Sequence, residues 1–453
     1  MKKLIQTITN IFKIEELRKR VLYTLGLLVI YRLGSFIVLP GIDGSILANS
    51  TEFAKETSEG LVGLLNMFSG GSFGNASIFA LGVMPYISAS IVIQLLGVFV
   101  PYFRKLQMEG ESGRRKMNQY TRFLTIAIIC IQGPAYMANL SSMLSAAGID
   151  ASLALYGSAA MGSFWFGLVS TLILLGGTMF VMWLGERITD RGIGNGISLI
   201  IMVGIIARLP MALGLEINEA FTGEKVGGPL FLVVELVLLF FVFVAAIALV
   251  QAVRKVPVQY AKRVVGNKQY GGVRQYIPMK INAAGVMPII FAQALMLFPM
   301  IFAQFDATRE IATAMSDYTS WGYNIVFGIL IVIFTYFYTA VTVNPTMMAD
   351  EMRKNGGFIP GVKPGRKTAE YLDTIMSRVT LPGSIFLALI AILPAFANIL
   401  DVNNQFASFY GGTSLLILVG VVLDTLQQIE SHLLMRHYDG LMKTGRLTGR
   451  SGM

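Results

Sequence analysis

Ten long apolar segments alternate with charged or turn-rich stretches along the chain. They lie at about residues 21–39, 75–100, 118–139, 159–183, 192–208, 229–252, 284–303, 322–345, 379–398 and 410–429. Each approaches the roughly 20 apolar residues that a helix needs to cross a bilayer. The pattern predicts an all-α integral membrane protein with ten transmembrane helices. The fifth segment is short and begins with GIGNG at 192–196, so a loose first turn is expected there. The first follows MKKLIQTITNIFKIEELRKR, a basic and amphipathic start. Its apolar run is too long for a signal peptide, contains Arg32 and ends in LPGIDG without a small-residue cleavage site. It reads as a retained span preceded by an interfacial helix.

Composition agrees with this pattern. Of 453 residues, 54% are hydrophobic and 14% charged, against the roughly 25% charged residues of soluble domains. Mean hydropathy is +0.64. A soluble globular enzyme, a disordered tail and a disulfide-stapled secreted domain are all excluded. The single cysteine, Cys130, allows no intrachain disulfide, and His432 and His437 are the only histidines, which argues against zinc. No cofactor is implied.

Charge fixes the topology. With the N-terminus inside, 31 of the 36 Lys and Arg fall in inner segments, whereas the outer loops hold Lys55, Arg208, Lys225 and Arg309. Twelve acids lie on the outer side, among them Asp43, Glu216, Glu219 and Asp401. Both termini are therefore expected to be cytoplasmic. Ten spans divide into five and five, and an odd number per half turns the second half upside down. The expected organisation is an N-terminal half at 1–208, an external hinge loop at 209–228 and a C-terminal half at 229–453.

Three features break the ordinary pattern. Residues 61–74, LVGLLNMFSGGSFG, are too short to span and end in a glycine cluster. They read either as a re-entrant helix plugging a cavity from outside or as a plain amphipathic outer loop. Irregular backbone at membrane depth is tolerated only inside protein or beside water. The inner loops at 253–283 and 346–378 are long and densely basic. Topology alone explains their charge but not their length, and a surface for an acidic partner or anionic lipid explains both. Finally, buried charge is scarce. Arg32 could snorkel, and Glu235 and Asp424 lie near span ends. Neither a proton relay nor a catalytic dyad can be assembled from these, so the chain is not read as an enzyme. Aliphatic residues do lie beside helix breakers: Val83 and Ile87 flank Pro85, Ile290 follows Pro288, Ile201 follows Asn195, and Ile417 follows GGTSLL. Periodicity alone reads all five as packing.

Long stretches of the chain resemble the SecY family of translocase channel subunits, related to the eukaryotic translocon α subunit. They include YRLGSF (31–36), NMFSGGSFGNASIFALGVMPYISASIVIQLL (66–96), GRRKMNQYTR (113–122), WLGERITDRGIGNGISLIIMVGI (183–205) and QYAKR (259–263). The second half adds IPMKINAAGVMPIIFA (277–292), FYTAVTVNPTMMAD (337–350), GGFIPGVKPGRKTAEYLD (356–373) and GGTSLLI (411–417). The resemblance covers essentially the whole chain. It implies an hourglass channel between two inverted five-helix halves, in a bacterial cytoplasmic membrane, that passes unfolded preproteins across and releases apolar helices sideways into lipid.

The resemblance also implies roles for residues. A plug helix maps to about 62–73, with Asn66, Met67 and Phe68 at its core. A constriction ring maps to Val83, Ile87, Ile201, Ile290 and Ile417, with Val at one position where Ile is common. A lateral gate lies between spans two and three on one side and seven and eight on the other. Ser88, Gln94 and Asn282 are its polar groups, and Ser198 and Phe298 lie near pore and gate. Hydrogen bonds across the closed gate are expected, worth about 0.6–2 kcal/mol each. Arg254, Lys255, Lys262, Arg263, Lys363 and Arg366 on the basic loops match docking sites for the motor ATPase SecA and the ribosome. Lys363 stands where the family often has Arg, which favours a charge contact over a bidentate one. Further implied partners are SecE-like and SecG-like subunits, signal sequences and preproteins, membrane lipid, and SecDF and YidC-like factors. A secondary transporter would share ten spans and inverted halves, but needs midplane ligands that are nearly absent. An intramembrane protease would need a partner for Asp424.

Overall fold

The computed structural model describes residues 14–444 apart from 51–52, 54–56, 58–59, 223–227, 261–262, 266–267, 271–273, 297–319 and 401. The expected interfacial helix before residue 14 lies outside the described residues. In chain order the first half runs α1 (Glu15–Gly34), α2 (Gly60–Phe68), α3 (Met84–Phe99), α4 (Pro101–Met108), α5 (Glu111–Ala146), α6 (Ser163–Arg191) and α7 (Gly196–Thr222). The second half runs α8 (Gly228–Gln251), β1 (Val253–Tyr260), β2 (Arg263–Val265), β3 (Lys268–Tyr270), β4 (Arg274–Lys280) and α9 (Met287–Met296). It continues with α10 (Trp321–Thr342), α11 (Pro345–Lys354), β5 (Gly357–Phe358), α12 (Arg366–Ile399) and α13 (Gly412–Thr444). Short helices at Gly44–Asn49, Ala151–Ala154, Tyr156–Met161 and Asn404–Ala407 lie in the outer loops.

Among the described residues, seven helices are long and apolar enough to cross a membrane, and α3 with α4 passes as an eighth bent pair. This is a multi-pass membrane protein. A helix stands at each of the ten predicted positions, but two fall short as described. The first, α1, ends at Gly34, and residues 37–39 run extended, bridging 76–78 through Val38 and Ser77. The other, α9, has only ten described residues before 297–319.

The second span starts later than its apolar run. Residues 69–83 are turns, and the helix begins at Met84 with Pro85 in its first turn. A proline is favoured there because its missing N–H has no helical acceptor. At the other end, Val100 is extended (φ −105°, ψ 119°) ahead of Pro101, and α4 leaves α3 at 100°. The helical region is sterically disfavoured for a residue before proline, and Val100 takes the extended alternative, which ends α3 there. The fifth helix, α7, runs on through Pro210 to Thr222, so the described part of the expected hinge loop is helical.

Packing follows the apolar faces. Within the first half α5 packs on α3 and α6, and α6 on α7. Within the second, α10 packs on α9 and α12. The halves meet through α7 against α13. Apart from the buried Glu235, Val242, Ala246 and Leu249, α8 turns its apolar side chains outward, as a lipid-facing helix does.

The sequence pattern showed no strands, yet the inner loops contain a sheet. Its strand order is β4-β1-β5, all antiparallel, with Val253 opposite Lys280 and Gln259 opposite both Arg274 and Phe358. A second ladder joins β2 to β3. Val256, Val258, Met279, Met352, Ile359, Leu372 and Met376 form one apolar cluster beneath the sheet. The two basic loops, far apart in sequence, are thus one body.

Candidate functional site

Ile87 on α3, Ile201 on α7, Ile290 on α9 and Ile417 on α13 line one cavity of about 440 Å³. Four helices from both halves each contribute one aliphatic side chain. Val83 does not line the cavity. It is buried one turn earlier, in the core cluster that also contains Ile201, Ile417 and Met67, with Ile87 and Ile290 packed against it. Ile417 is 2% exposed and Ile201 6%. The five residues mapped to the ring are therefore brought together in one apolar cluster.

The segment that closes on them is α2 with the turn after it. Leu65 and Phe68 line the same cavity, and Met67 is buried in the ring cluster. The helix stops at Phe68, short of the expected 73, because Gly70 (φ +65°) and Gly71 (φ +92°) turn left-handed. Gly70 is also a close approach: a Cβ there would lie 2.8 Å from the Cα of Gly204 on α7. Only glycine combines that backbone with that contact.

Asn66 explains why a polar residue lies in this apolar helix. It is 2% exposed, donates from Nδ2 to the Thr57 carbonyl (3.1 Å) and accepts at Oδ1 from the Gly74 amide (2.9 Å). One side chain ties the chain before the helix to the chain after it. Two donors on α1 hold the turn from outside. The Tyr31 hydroxyl donates to the Ser69 carbonyl at 3.2 Å, and Arg32 Nη1 donates to the Gly70 carbonyl at 2.6 Å. Arg32 also lies 4.7 Å over the Phe36 ring. It does not snorkel as its position in the span suggested. The guanidinium is spent on a carbonyl that the left-handed turn leaves without a helical partner.

The gate residues do less than expected. Ser88 lines the cavity, Gln94 donates to Ser90 on its own helix at 3.2 Å, and Asn282 is buried with Oδ1 unbonded. None of the three makes a hydrogen bond between the halves among the described residues. Gln94 finds its partner four residues back on its own helix, a local choice that the pattern of apolar positions does not reveal. The Ser198 amide donates to Asn195 Oδ1 (3.4 Å), capping the start of α7. Phe298 lies outside the described residues. The polar groups that do line the cavity from the two gate sides are Gln132 and Asn139 on α5 and Gln293 on α9. Each is a carboxamide within an apolar run, and that signal was available in the sequence.

On the basic loops, Arg254 and Lys255 are exposed on β1, and Lys363 is exposed after β5. These three make no ion pair among the described residues. Arg366 opens α12 and pairs with Glu370 at 3.2 Å, as does Lys367. Lys367, then Arg366, hold the Glu370 carboxyl below its usual range, so that acid stays ionised and offsets part of their charge. Arg263 begins β2, and Lys262 lies outside the described residues. Asp424 is exposed on α13, and no cluster of metal-ligating side chains exists among the described residues.

Comparison with known proteins places this arrangement. The SecY family model matches residues 77–426. Protein translocase subunit SecY of Streptomyces scabiei is 43% identical over 449 residues, covering 95% of this chain and 98% of the relative. The subunit of that name from Chlamydia trachomatis is 40% identical over 458 residues, covering 98% and 99%. Among solved structures, one described as a protein conducting channel superposes with a TM-score of 0.61 at 16% identity, covering 92% of each chain. Sec61 of the canine ribosome–channel complex superposes with a TM-score of 0.57 at 16% identity and the same coverage.

Proposed function

The chain belongs to the SecY family, and from that premise we propose that it is the channel subunit of a protein translocase, passing unfolded polypeptides outward and releasing apolar helices into the bilayer. One observation carries the reading: Ile87, Ile201, Ile290 and Ile417, from four helices of both halves, converge on one cavity beneath the plug-like α2. Aliphatic side chains hold no fixed hydrogen bonds with a passing chain, so they yield to any residue type and close behind it. A narrow apolar constriction also dewets, which resists ions. A polar filter would select among side chains that this channel must pass alike.

Sideways release needs a seam that opens when an apolar helix binds. A ligand shifts such an equilibrium only by preferring the open state. The gate between α3 with α5 and α9 with α10 fits, because among the described residues no hydrogen bond of Ser88, Gln94 or Asn282 locks it. The docking role has a basic region to act through: the β1 and β5 loops are joined in one sheet, and Arg254, Lys255 and Lys363 on them are exposed and available to SecA or the ribosome. SecE-like and SecG-like subunits complete the assembly, and the basic inner side puts both termini in the cytoplasm of a bacterial inner membrane.

The decisive experiment crosslinks a stalled preprotein to single cysteines in a Cys130→Ser background. Cysteines at 87, 201, 290 and 417 should capture the chain, whereas one at the lipid-facing Phe241 should not. Equal capture at Phe241 would sink the reading.

A further inference from the structure

We propose that Tyr136 couples the gate to the plug, as a positioning residue that holds α2 in place only while α5 is in its closed position. The inference rests on the channel reading and adds a specific residue to it. Three side chains donate to carbonyls of the turn after α2. Two of them, Tyr31 and Arg32, stand on α1. The third is Tyr136 on α5, whose hydroxyl donates to the Phe73 carbonyl at 2.8 Å. Its ring meets Phe73 edge-on, with centroids 4.8 Å apart and planes at 74°. Tyr136 is 4% exposed.

From Phe73 the bonds run back into the plug. The Phe73 amide donates to Ser69 Oγ (3.0 Å), and Ser69 Oγ donates to the Asn66 carbonyl (3.1 Å). The next amide, Gly74, donates to Asn66 Oδ1. A continuous set of hydrogen bonds thus joins a gate helix to the plug through four residues.

The anchors differ in what moves them. α1 packs on α6 and α7 inside the first half. α5 is a gate helix, and Tyr136, Gln132 and Asn139 on it line the same cavity as the ring. An apolar helix wedged into the gate must displace the side chains of α5 that face it. A buried hydrogen bond and an edge-on ring contact have narrow distance and angle requirements, so a shift of about 1 Å removes both. The Phe73 carbonyl then keeps only the longer bond from the Ala76 amide (3.3 Å), while the two α1 anchors stay. Plug release follows gate opening because the closed gate supplied one of its three anchors. Coupling of this kind needs a contact made in one state and not the other.

The test places a cysteine at Ser72, which is fully buried and has no hydrogen-bond partner for its hydroxyl, in a Cys130→Ser background. The full chain, reconstituted with the subunits that copurify with it, is labelled from outside with an impermeant maleimide, with and without an added signal peptide. In the parent, signal peptide should raise the labelling rate. Tyr136→Phe keeps the ring and removes the donor. It should raise resting labelling about fivefold, the effect of one buried hydrogen bond, and largely abolish the further rise with signal peptide. Tyr31→Phe should also raise resting labelling but keep the full further rise. If Tyr136→Phe leaves resting labelling unchanged, or responds to signal peptide as fully as Tyr31→Phe, the coupling is overturned. If the parent itself does not respond, the channel reading fails with it. Phe73→Leu, which spares the carbonyl but loses the ring contact, should give a smaller change of the Tyr136→Phe kind, and a normal response from it would count against the ring's part.

Discussion

At the scale of one residue, the channel reading proposed above puts the seal on Ile417. Replacing it by Asn puts a carboxamide at a position that is 2% exposed among aliphatic side chains, which costs the closed state about 1–3 kcal/mol. Each 1.4 kcal/mol is a factor of ten in the open-to-closed ratio. Ile417→Asn should therefore let preproteins with defective signal sequences through, and Ile290→Asn should do the same less strongly, because Ile290 is only partly buried. Export assays with a crippled signal sequence would show it, and undiminished strictness in both variants would reduce these residues to packing. Asn66 is the converse case, a polar residue that closes the channel. Asn66→Ala removes one bond to the Thr57 carbonyl and takes this partner from the buried Gly74 amide, at about 1–3 kcal/mol for a buried donor left unsatisfied. Resting ion conductance of reconstituted channels should rise, whereas Asn66→Asp should rescue only the bond from Gly74, because a carboxylate cannot donate to Thr57.

At the scale of elements, removal of residues 62–73 takes away the plug and most of its turn. Resting conductance should exceed that of Asn66→Ala, and planar-bilayer recording of both channels ranks them. How far these elements could be read from the chain depended on the physics behind each. The spans were legible because bilayer thickness demands long apolar runs. The sheet was not, because β1, VRKVPVQY, mixes charges and a proline into eight residues, and its partner β5 is two residues long and about a hundred positions away. The ring was legible only through family motifs, since Ile201 and Ile417 have the same local pattern as any core isoleucine. Arg32 was misread because its acceptor, the Gly70 carbonyl, is 38 positions distant. Joining the basic loops in one sheet has its own consequence. Arg254→Glu and Lys363→Glu should each weaken SecA or ribosome binding, more at low salt than high, because exposed charges are screened. Co-sedimentation across a salt series would measure it, and losses independent of salt would point to misfolding of the sheet instead.

The whole molecule is pinned along one seam and free along another. At the inner end of the α7–α13 contact, the amide of Gly194, left-handed at φ +81°, donates to Gln428 Oε1 at 2.9 Å. At the outer end, Asn403 donates its amide to Glu216 (3.1 Å) and its side chain to Glu219 (2.5 Å), joining the far end of α7 to the loop before α13. Glu216 is fully buried, so that contact is dry. Among the described residues, Ser88, Gln94 and Asn282 supply no such bond on the opposite side. Two halves fixed at both ends of one seam can part only at the other, so the fold favours lateral opening over symmetric widening. The expectation is directional. A short thiol crosslinker joining cysteines at 219 and 403, in a Cys130→Ser background, should leave preprotein export near its uncrosslinked rate, because those positions lie on the axis. The same reagent joining cysteines at 88 and 293, across the gate from α3 to α9, should stop insertion of signal helices and restore it on cleavage of the link. Export rates before and after cleavage decide between the two modes, since a channel that widened evenly would be blocked by either bridge.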